Sequence, residues 1–375
     1  MVGWSLEDFN GFYNLLGVSL DICIGESFYT AFLDEFSSQF KDSIIKYTQA
    51  EADNDIEVLR KQLEEGQVKQ QEYDTLLKGI VKDINASVIR ISPQQRLVFL
   101  ASDGHSIYQT RDLIAVFKRL ELFKPTDIVY VTGQEQQQHF SDIFQVSSNL
   151  LNLEDKLKLH HIWFGFYIDA DSKDKLSTRQ GASSVETLLK EAIRYFKDKF
   201  HSKTTHINLD YDEISRQVAV GSIIFNDIIK SSGSTVELHT DDLTKNFKTF
   251  EKSGGAYIMY TACRANKVVK SSNVSQLSLD STDENYNLMN KEIGLIKLIL
   301  NFPSVLEVAA KTDSPHVLAQ YLLSLAKSFN SFYSDDDLKI IGDLHEMERL
   351  IITSAVNNIL RRGLAICNIN CPELI

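Results

Sequence analysis

Three short apolar runs, RLVFLA (96–101), DIVYVTG (127–133) and HHIWFGFYI (160–168), recur at nearly even spacing and are rich in β-branched and aromatic residues. Between them lie TRDLIAVFKRLELF and HFSDIFQVSSNLL, each with the apolar periodicity of a helix. Apolar strands that alternate with helical patterns predict a parallel sheet with helical crossovers. On such sheets ligands sit beyond the carboxyl ends of the strands. SDGHSIYQTRD (102–112) follows the first run and GQEQQQHF (133–140) the second, which puts Tyr108, Asp112 and the glutamines at one rim. Tyr108 and Asp112 are one helical turn apart and lean to the same side. A phenol beside a carboxylate suits a cationic ligand. The plainer alternative is a helix N-terminus, with Asp112 set against the dipole and Tyr108 packed.

The flanks differ from this middle. Residues 1–85 read as mostly helical and polar, and EADNDIEVLRKQLEEGQVKQQEYDTLLKGIVKDI (51–84) predicts a surface hairpin or inserted arm. Residues 181–375 read as a helix bundle. Leu318, Leu322, Leu325, Phe329 and Phe332 form a core-facing stripe, with Ser314 and Pro315 as its start signal. Leu344, Met347, Ile351, Ala355 and Ile359 form a second stripe.

A net charge of −12 argues against a general polyanion binder but leaves room for local basic faces. Those are Lys190, Arg194, Lys197, Lys199 and Lys203; Lys245, Lys248 and Lys252; and Lys267 with Lys270. Each also reads as an ordinary solvated helix face. Cys23, Cys263, Cys367 and Cys371 have neither C-x-x-C nor zinc spacing, so reduced thiols and no metal site are expected. There is no run of eighteen apolar residues, so no membrane span is expected. The first twenty residues lack the pattern of a signal or transit peptide.

The motifs, taken in order, resemble those of the arginyl-tRNA synthetases, a class I aminoacyl-tRNA synthetase family. YNLLGVSLDICIGESFY (13–29) looks like the segment leading out of that family's first connective insertion. SDGHSIYQTRD resembles its SDGTxxYxTRD motif, and DIVYVTGQEQQQHF (127–140) its VYVVGxxQxxHF strand and turn. HIWFGFYIDADSKDKLSTRQG (161–181) is similar to HVxFGxV…STRKG, the family's version of the KMSKS loop. SGGAYIMYTACRANKVVK (253–270) resembles the opening of the anticodon-binding domain, and SFNSFY (328–333) and RRGLAICNINCPELI (361–375) its later helix and ending.

The resemblance implies an α/β plus all-α chain, a partial class I Rossmann-type parallel sheet followed by a helical anticodon-binding domain of the DALR type. It divides the chain into a connective-insertion remnant (1–85), the C-terminal half of the catalytic fold (86–185), a helical connector (186–250) and the anticodon-binding domain (251–375). It implies arginine binding by Tyr108, Asp112 and Gln136, and ATP binding by His161, Phe164 and Gly165. Lys175, Ser177, Thr178 and Arg179 fall on the altered KMSKS-type loop, and Tyr257, Tyr260, Arg264 and Phe329 on the tRNA-facing surface. Phe329 also lies on the apolar stripe, so core packing competes with that role. The implied partners are tRNA(Arg), arginine and ATP with Mg as substrate, with no bound prosthetic group. A cytoplasmic monomer is implied, with the mitochondrial matrix as the alternative location.

The departures shape the functional expectation. No H-x-G-H occurs among the nine histidines, and Gln180 stands where a lysine is common. Lys173 and Lys175 lie nearby in the sequence as candidates to replace that mobile cation; the alternative is that the loop is only a flexible connector. Met259 and Ala262 stand where the family often has Gln and His. The chain alone is therefore expected to be inactive in adenylation. The alternative is a degenerate paralogue acting only as a tRNA- or protein-binding module.

Overall fold

The computed structural model describes residues 10–93, 95–153, 156–176, 185–203, 209–274, 277–278, 282–283 and 285–375. Packing divides the chain into two units. One is Leu20–Phe164; the other joins Gly165–Ile375 to the stretch ending at Ser19. This division falls inside the segment 86–185 expected as one piece, at the glycine that interrupts the third apolar run.

In Leu20–Phe164, α1 (Ser27–Thr30) and α2 (Leu33–Gln39) precede β1 (Ile44–Lys46). A hairpin of α3 (Gln49–Glu64) and α4 (Gln70–Lys82) follows, as expected for the polar stretch. Thr48 and Glu51 cap α3 reciprocally: the Thr48 N–H donates to the Glu51 carboxylate (2.7 Å) and the Glu51 N–H to the Thr48 hydroxyl (3.3 Å). Gly66, at φ 73°, turns the chain between the helices. The hairpin has its own small core of Tyr47, Ala52, Leu59, Ile80, Ala86 and Val88. Arg96 ties it to the sheet. Its guanidinium donates to Asp55 (3.2 Å) and Asp83 (2.9 Å) and lies 4.1 Å over the Tyr47 ring.

The strands are not one parallel sheet. β2 (Ser87–Arg90) pairs antiparallel with both β1 and β3 (Arg96–Leu100), so the first apolar run joins a three-stranded antiparallel sheet. Only the stretch 91–95 separates β2 from β3, short enough for a hairpin, and the hairpin takes β3 as its second strand. After α5 (Tyr108–Phe123), β4 (Asp127–Gly133) pairs parallel with β5 (Lys158–Phe164) across the crossover helix α6 (Gln137–Leu151). Both helices end on left-handed residues, Lys124 and Asn152. Phe36, Phe99, Leu113, Ile114, Phe140 and Ile143 centre the core beneath them. The other face of the ladder stays open, with Val129, Val131 and Phe164 exposed.

The longer segment of the second unit opens on Gly165. Its N–H donates to the Ser232 carbonyl (2.9 Å), and a Cβ there would lie 2.4 Å from the Ser234 carbonyl oxygen. Only glycine admits that approach. The expected single strand 160–168 thus breaks here, and β6 (Tyr167–Asp169) pairs parallel with β7 (Val236–Leu238). The rest is helical: α7 (Val185–Lys203), α8 (Tyr211–Ile228), α9 (Leu243–Ser253), α10 (Gly255–Ser271), α11 (Asn290–Lys311), α12 (Pro315–Tyr333) and α13 (Glu346–Ile366). One buried cluster runs through them all, from Leu188 to Ile369.

The first stripe is borne out: Leu318, Leu322, Leu325, Phe329 and Phe332 are all buried on α12. Ser314 occupies the N-cap position, but its hydroxyl donates back to the Thr312 carbonyl (2.9 Å) and caps nothing. The second stripe is borne out only in part: Ile359 is buried, and Met347, Ile351 and Ala355 are partly so. α13 begins at Glu346, Leu344 is 90% exposed, and the buried face runs through Arg349, Ile352, Val356, Leu360 and Gly363. That face includes a charge. Arg349 donates to the fully buried Glu292 of α11 (3.2 Å) and to the Lys339 carbonyl (2.8 Å), and the Tyr286 hydroxyl also donates to Glu292 (2.6 Å). By length and composition α11 could cross a bilayer, yet it brings Glu292 to this pairing and Leu295 to the helical core.

Candidate functional site

The turn SDG after β3 is shaped by Gly104, at φ 85°. Its N–H donates to the Ala101 carbonyl (2.9 Å), and Ala101 N–H donates to the His105 carbonyl (3.0 Å). α5 then starts at Tyr108, pinned by Thr110. The buried Thr110 hydroxyl donates to the Phe99 carbonyl of β3 and accepts from the Ile107 N–H (3.0 Å). Arg111 points the other way and donates to Glu26 (3.0 Å). The TRD triplet therefore contains an anchor, an ion pair and an available carboxylate.

That carboxylate, Asp112, meets His139 of α6: Nε2 lies 2.7 Å from Asp112 Oδ2. The other oxygen, Oδ1, takes no hydrogen bond from a described residue. The Tyr108 ring packs on His139, centroids 4.7 Å apart, and remains half-exposed. The His139 side chain is enclosed, and its Nδ1 has no partner among the described residues. Gln136 is exposed in the turn Gln134–Gln136 that leads into α6, where β4 ends. His139 thus brings Tyr108 and Asp112 together, while Gln136 belongs to the same turn without joining their contacts. Sequence reasoning missed His139. Its signal was its place in HF, directly after the glutamines.

Beside this cluster, His161 of β5 shares a short hydrogen bond with the Thr132 hydroxyl of β4 (2.7 Å) and packs on Phe140 (4.9 Å). Burial, and then the neighbouring His139, holds the His161 imidazole below its ordinary pKa. It is therefore neutral at pH 7. Phe164 ends the ladder half-exposed, and Gly165 has the packing role already described.

In the turn after β6, Asp169 accepts from the Thr240 hydroxyl and from the backbone N–H of Ser172 (2.7 Å) and Asp171 (2.9 Å). The Thr240 bond, followed by those backbone bonds, holds its carboxyl well below the usual range. Lys173 pairs with Glu237 (3.0 Å), and the Lys175 ammonium sits 3.5 Å over the Phe166 ring. Both lysines expected as substitutes for the missing cation are thus engaged. Ser177, Thr178, Arg179 and Gln180 lie outside the described residues.

On the helical unit, Arg264 is exposed on α10. It donates to Asn330, and its guanidinium lies 5.2 Å over the Tyr333 ring. Arg264, Lys267, Tyr333 and Lys339 line a cleft of about 530 Å³, together with Asp335 and Asp336. Lys291 pairs with Asp335 (2.6 Å) and offsets part of the acidic charge. The other aromatics expected here are committed elsewhere. Phe329 is fully buried, which corrects its expected RNA-facing role. Tyr260 is half-buried and bonded to Glu251, and burial, then that carboxylate, pushes its pKa up. Tyr257 packs against the helical core. Tyr333, four residues beyond Phe329, is the exposed ring. The basic face of α7 is also spoken for: Lys190, Arg194, Lys197 and Lys199 pair with Glu186, Glu191, Asp212 and Glu251.

Comparison with known proteins places this geometry. Residues 2–235 match the family of class I tRNA synthetases (R), catalytic domain, and residues 258–375 match the DALR anticodon binding domain. The chain is 29% identical over 373 residues to Arginine--tRNA ligase 1 of Bacillus thuringiensis subsp. konkukian (strain 97-27), covering 98% of this chain and 58% of that protein. It is 27% identical over 374 residues to Arginine--tRNA ligase of Exiguobacterium sibiricum, with the same coverage of each. The chain thus spans well under two thirds of these relatives. Among solved structures, it resembles the arginyl-tRNA synthetase of Plasmodium falciparum with a TM-score of 0.76 at 22% identity, over 100% of this chain and 57% of that one. It resembles the Thermus thermophilus arginyl-tRNA synthetase with a TM-score of 0.72 at 20% identity, over 96% of this chain and 61% of that one. These two likenesses speak for the fold.

Proposed function

The chain belongs to the class I arginyl-tRNA synthetases, and on that premise we propose that it serves the ATP-dependent charging of tRNA(Arg) with arginine. The observation that carries the reading is the shared seat of Tyr108 and Asp112 on His139, beside the carboxyl end of the parallel ladder. With His139 Nε2 on one carboxylate oxygen of Asp112, the other oxygen is left for a guanidinium, a pairing that suits that cation's planar fork. Tyr108 offers a ring face to the same cation. Gln136, at the neighbouring turn, completes the proposed arginine contacts. His161 and Phe164, with Gly165 at the strand break, are the proposed ATP side; ATP enters as a substrate with Mg.

The DALR match supports tRNA as the partner of the helical unit. Arg264, with Tyr333 beneath it and Lys267 beside it, is the proposed contact, since stacked rings and cations suit single-stranded nucleotides. Tyr257 and Tyr260 then act as supports. The proposed state is a monomer in the cytoplasm. The bacterial relatives lend no support to a mitochondrial location.

Within these 375 residues there is no His-x-Gly-His, and Lys173 pairs with Glu237 while Lys175 lies over the Phe166 ring. That pairing favours a second reading, a non-catalytic tRNA-binding relative. The test is arginine-dependent ATP–pyrophosphate exchange on the purified chain, alongside tRNA(Arg) binding. Salt-sensitive binding without exchange is the expected result. Robust exchange overturns the non-catalytic reading, and absence of binding overturns the tRNA part.

A further inference from the structure

We propose that Cys263 and Cys371 form a redox pair that a hydroperoxide closes into an intramolecular disulfide. Cys263 is buried on α10, and Cys371 lies in the tail after α13. Their thiols converge on one atom: Cys263 Sγ donates to the Pro372 carbonyl oxygen at 3.0 Å, and Cys371 Sγ donates to the same oxygen at 3.6 Å. Arg361 of α13 donates to that oxygen too (2.9 Å) and to the Cys371 carbonyl (3.2 Å). Asn266, one turn further along α10, donates to the Glu373 carbonyl (3.0 Å). The tail is thus held against α10 before any covalent bond forms, with both sulfurs gathered around the Pro372 carbonyl oxygen.

The surroundings assign the roles. The Cys263 thiol, and then the Arg361 guanidinium, hold Cys371 below its ordinary pKa against the effect of burial. Cys263 is pushed up by the neighbouring Cys371 thiol and by burial, and burial alone pushes Cys367 up to about 11. Cys371 is therefore the nucleophile, since the thiolate is the reactive form. With hydrogen peroxide, the Cys371 thiolate attacks one oxygen, the O–O bond breaks, and hydroxide leaves to take up a proton as water. Cys371 becomes a sulfenic acid. Cys263 then loses its proton and attacks the Cys371 sulfur. The S–S bond forms, the S–O bond breaks, and a second water departs. Two thiols have been oxidised by two electrons and one peroxide reduced. A dithiol reverses the step by exchange. The product fastens the tail to α10 and closes a long loop, which constrains the unfolded chain.

The experiment uses the full chain. It is exposed to hydrogen peroxide, digested without reductant, and mapped by mass spectrometry. The expected product is a Cys263–Cys371 linked peptide that dithiothreitol removes, with Cys23 and Cys367 still thiols. Before oxidation, alkylation should be about tenfold faster at Cys371 than at Cys367. In Cys263→Ser the sulfenic acid should persist at Cys371 and be captured by dimedone. A link through Cys23 or Cys367, a Cys371 that remains a thiol, or dimedone on Cys263 of the native chain overturns the proposal. The native-chain mapping needs no variant, so a poorly folded Cys263→Ser does not blunt it.

Discussion

The helical unit and the sheet unit bury their apolar surface in different ways. In Gly165–Ile375 one continuous cluster threads every helix from α7 to α13. In Leu20–Phe164 the core is split between the sheet and the α3–α4 hairpin. There Val131, 62% exposed, and its neighbours Val129 and Phe164 have no cover. A helix satisfies its own backbone and needs to bury only one stripe. A two-stranded parallel ladder keeps both outer edges unpaired, and parallel sheets are otherwise covered on both faces. Folding stability should therefore concentrate in the helical unit, and the sheet unit should be the more easily perturbed.

The sharpest way to break this contrast is Phe329→Ala. Phe329 is fully buried at the centre of the larger cluster, so the change should cost about 3–5 kcal/mol. The loss should appear in the helical transition of a denaturant melt while the sheet unit's signals hold; a cost near zero would erase the distinction. In the sheet unit, Thr110→Val removes the hydroxyl that bridges Phe99 and Ile107 and should cost about 1–3 kcal/mol. Calorimetry should show that loss as looser packing of the α5 start, and an unchanged melt would mean the bridge is dispensable. Arg264→Ala should leave the melt nearly unchanged but weaken tRNA binding by about 1–3 kcal/mol, with a shallower salt slope. Unaltered affinity in the folded variant would remove this cleft from the interface.

A smaller effect separates the units by pH. Burial lowers the His161 pKa in the folded state, so the unfolded chain takes up a proton first as pH falls. This contribution is whole above the unfolded value of about 6.5 and is lost as pH drops below it. Melting the sheet unit at falling pH should show a slope that His161→Gln flattens. Smallest of all, Val131→Lys on the open face should change stability by no more than about 0.5 kcal/mol. A large loss would mean that this face is covered in solution.

What the sequence shows and hides follows from the length of the signals. α5, α6 and α12 were legible because their apolar periods run for several turns. β1 and β2, only three and four residues long, carry too little pattern to stand out in a helical stretch, so the partner of β3 could not be read. The second stripe was read only in part because α13 buries Glu348 and Arg349 as well as apolar residues such as Ile359, which widens its buried face. At the site, Tyr108 and Asp112 share a helical turn and could be paired by spacing. His139 joins them from α6, 27 residues beyond Asp112, and only the fold makes that meeting. Phe329 and Tyr333 look equivalent at i and i+4. The ring at the last residue of α12 is nonetheless exposed, while the one a turn earlier is enclosed.

The α3–α4 hairpin offers a practical handle. Its bend at Gly66 is exposed, and the hairpin is held to the sheet at its other end through Arg96. Exposed bends of this kind accept inserted sequence where the backbone has little to lose. A short fluorophore-binding tag placed between Gly66 and Gln67 would report on the sheet unit alone, giving optical access to one half of the molecule while the helical half stays unlabelled.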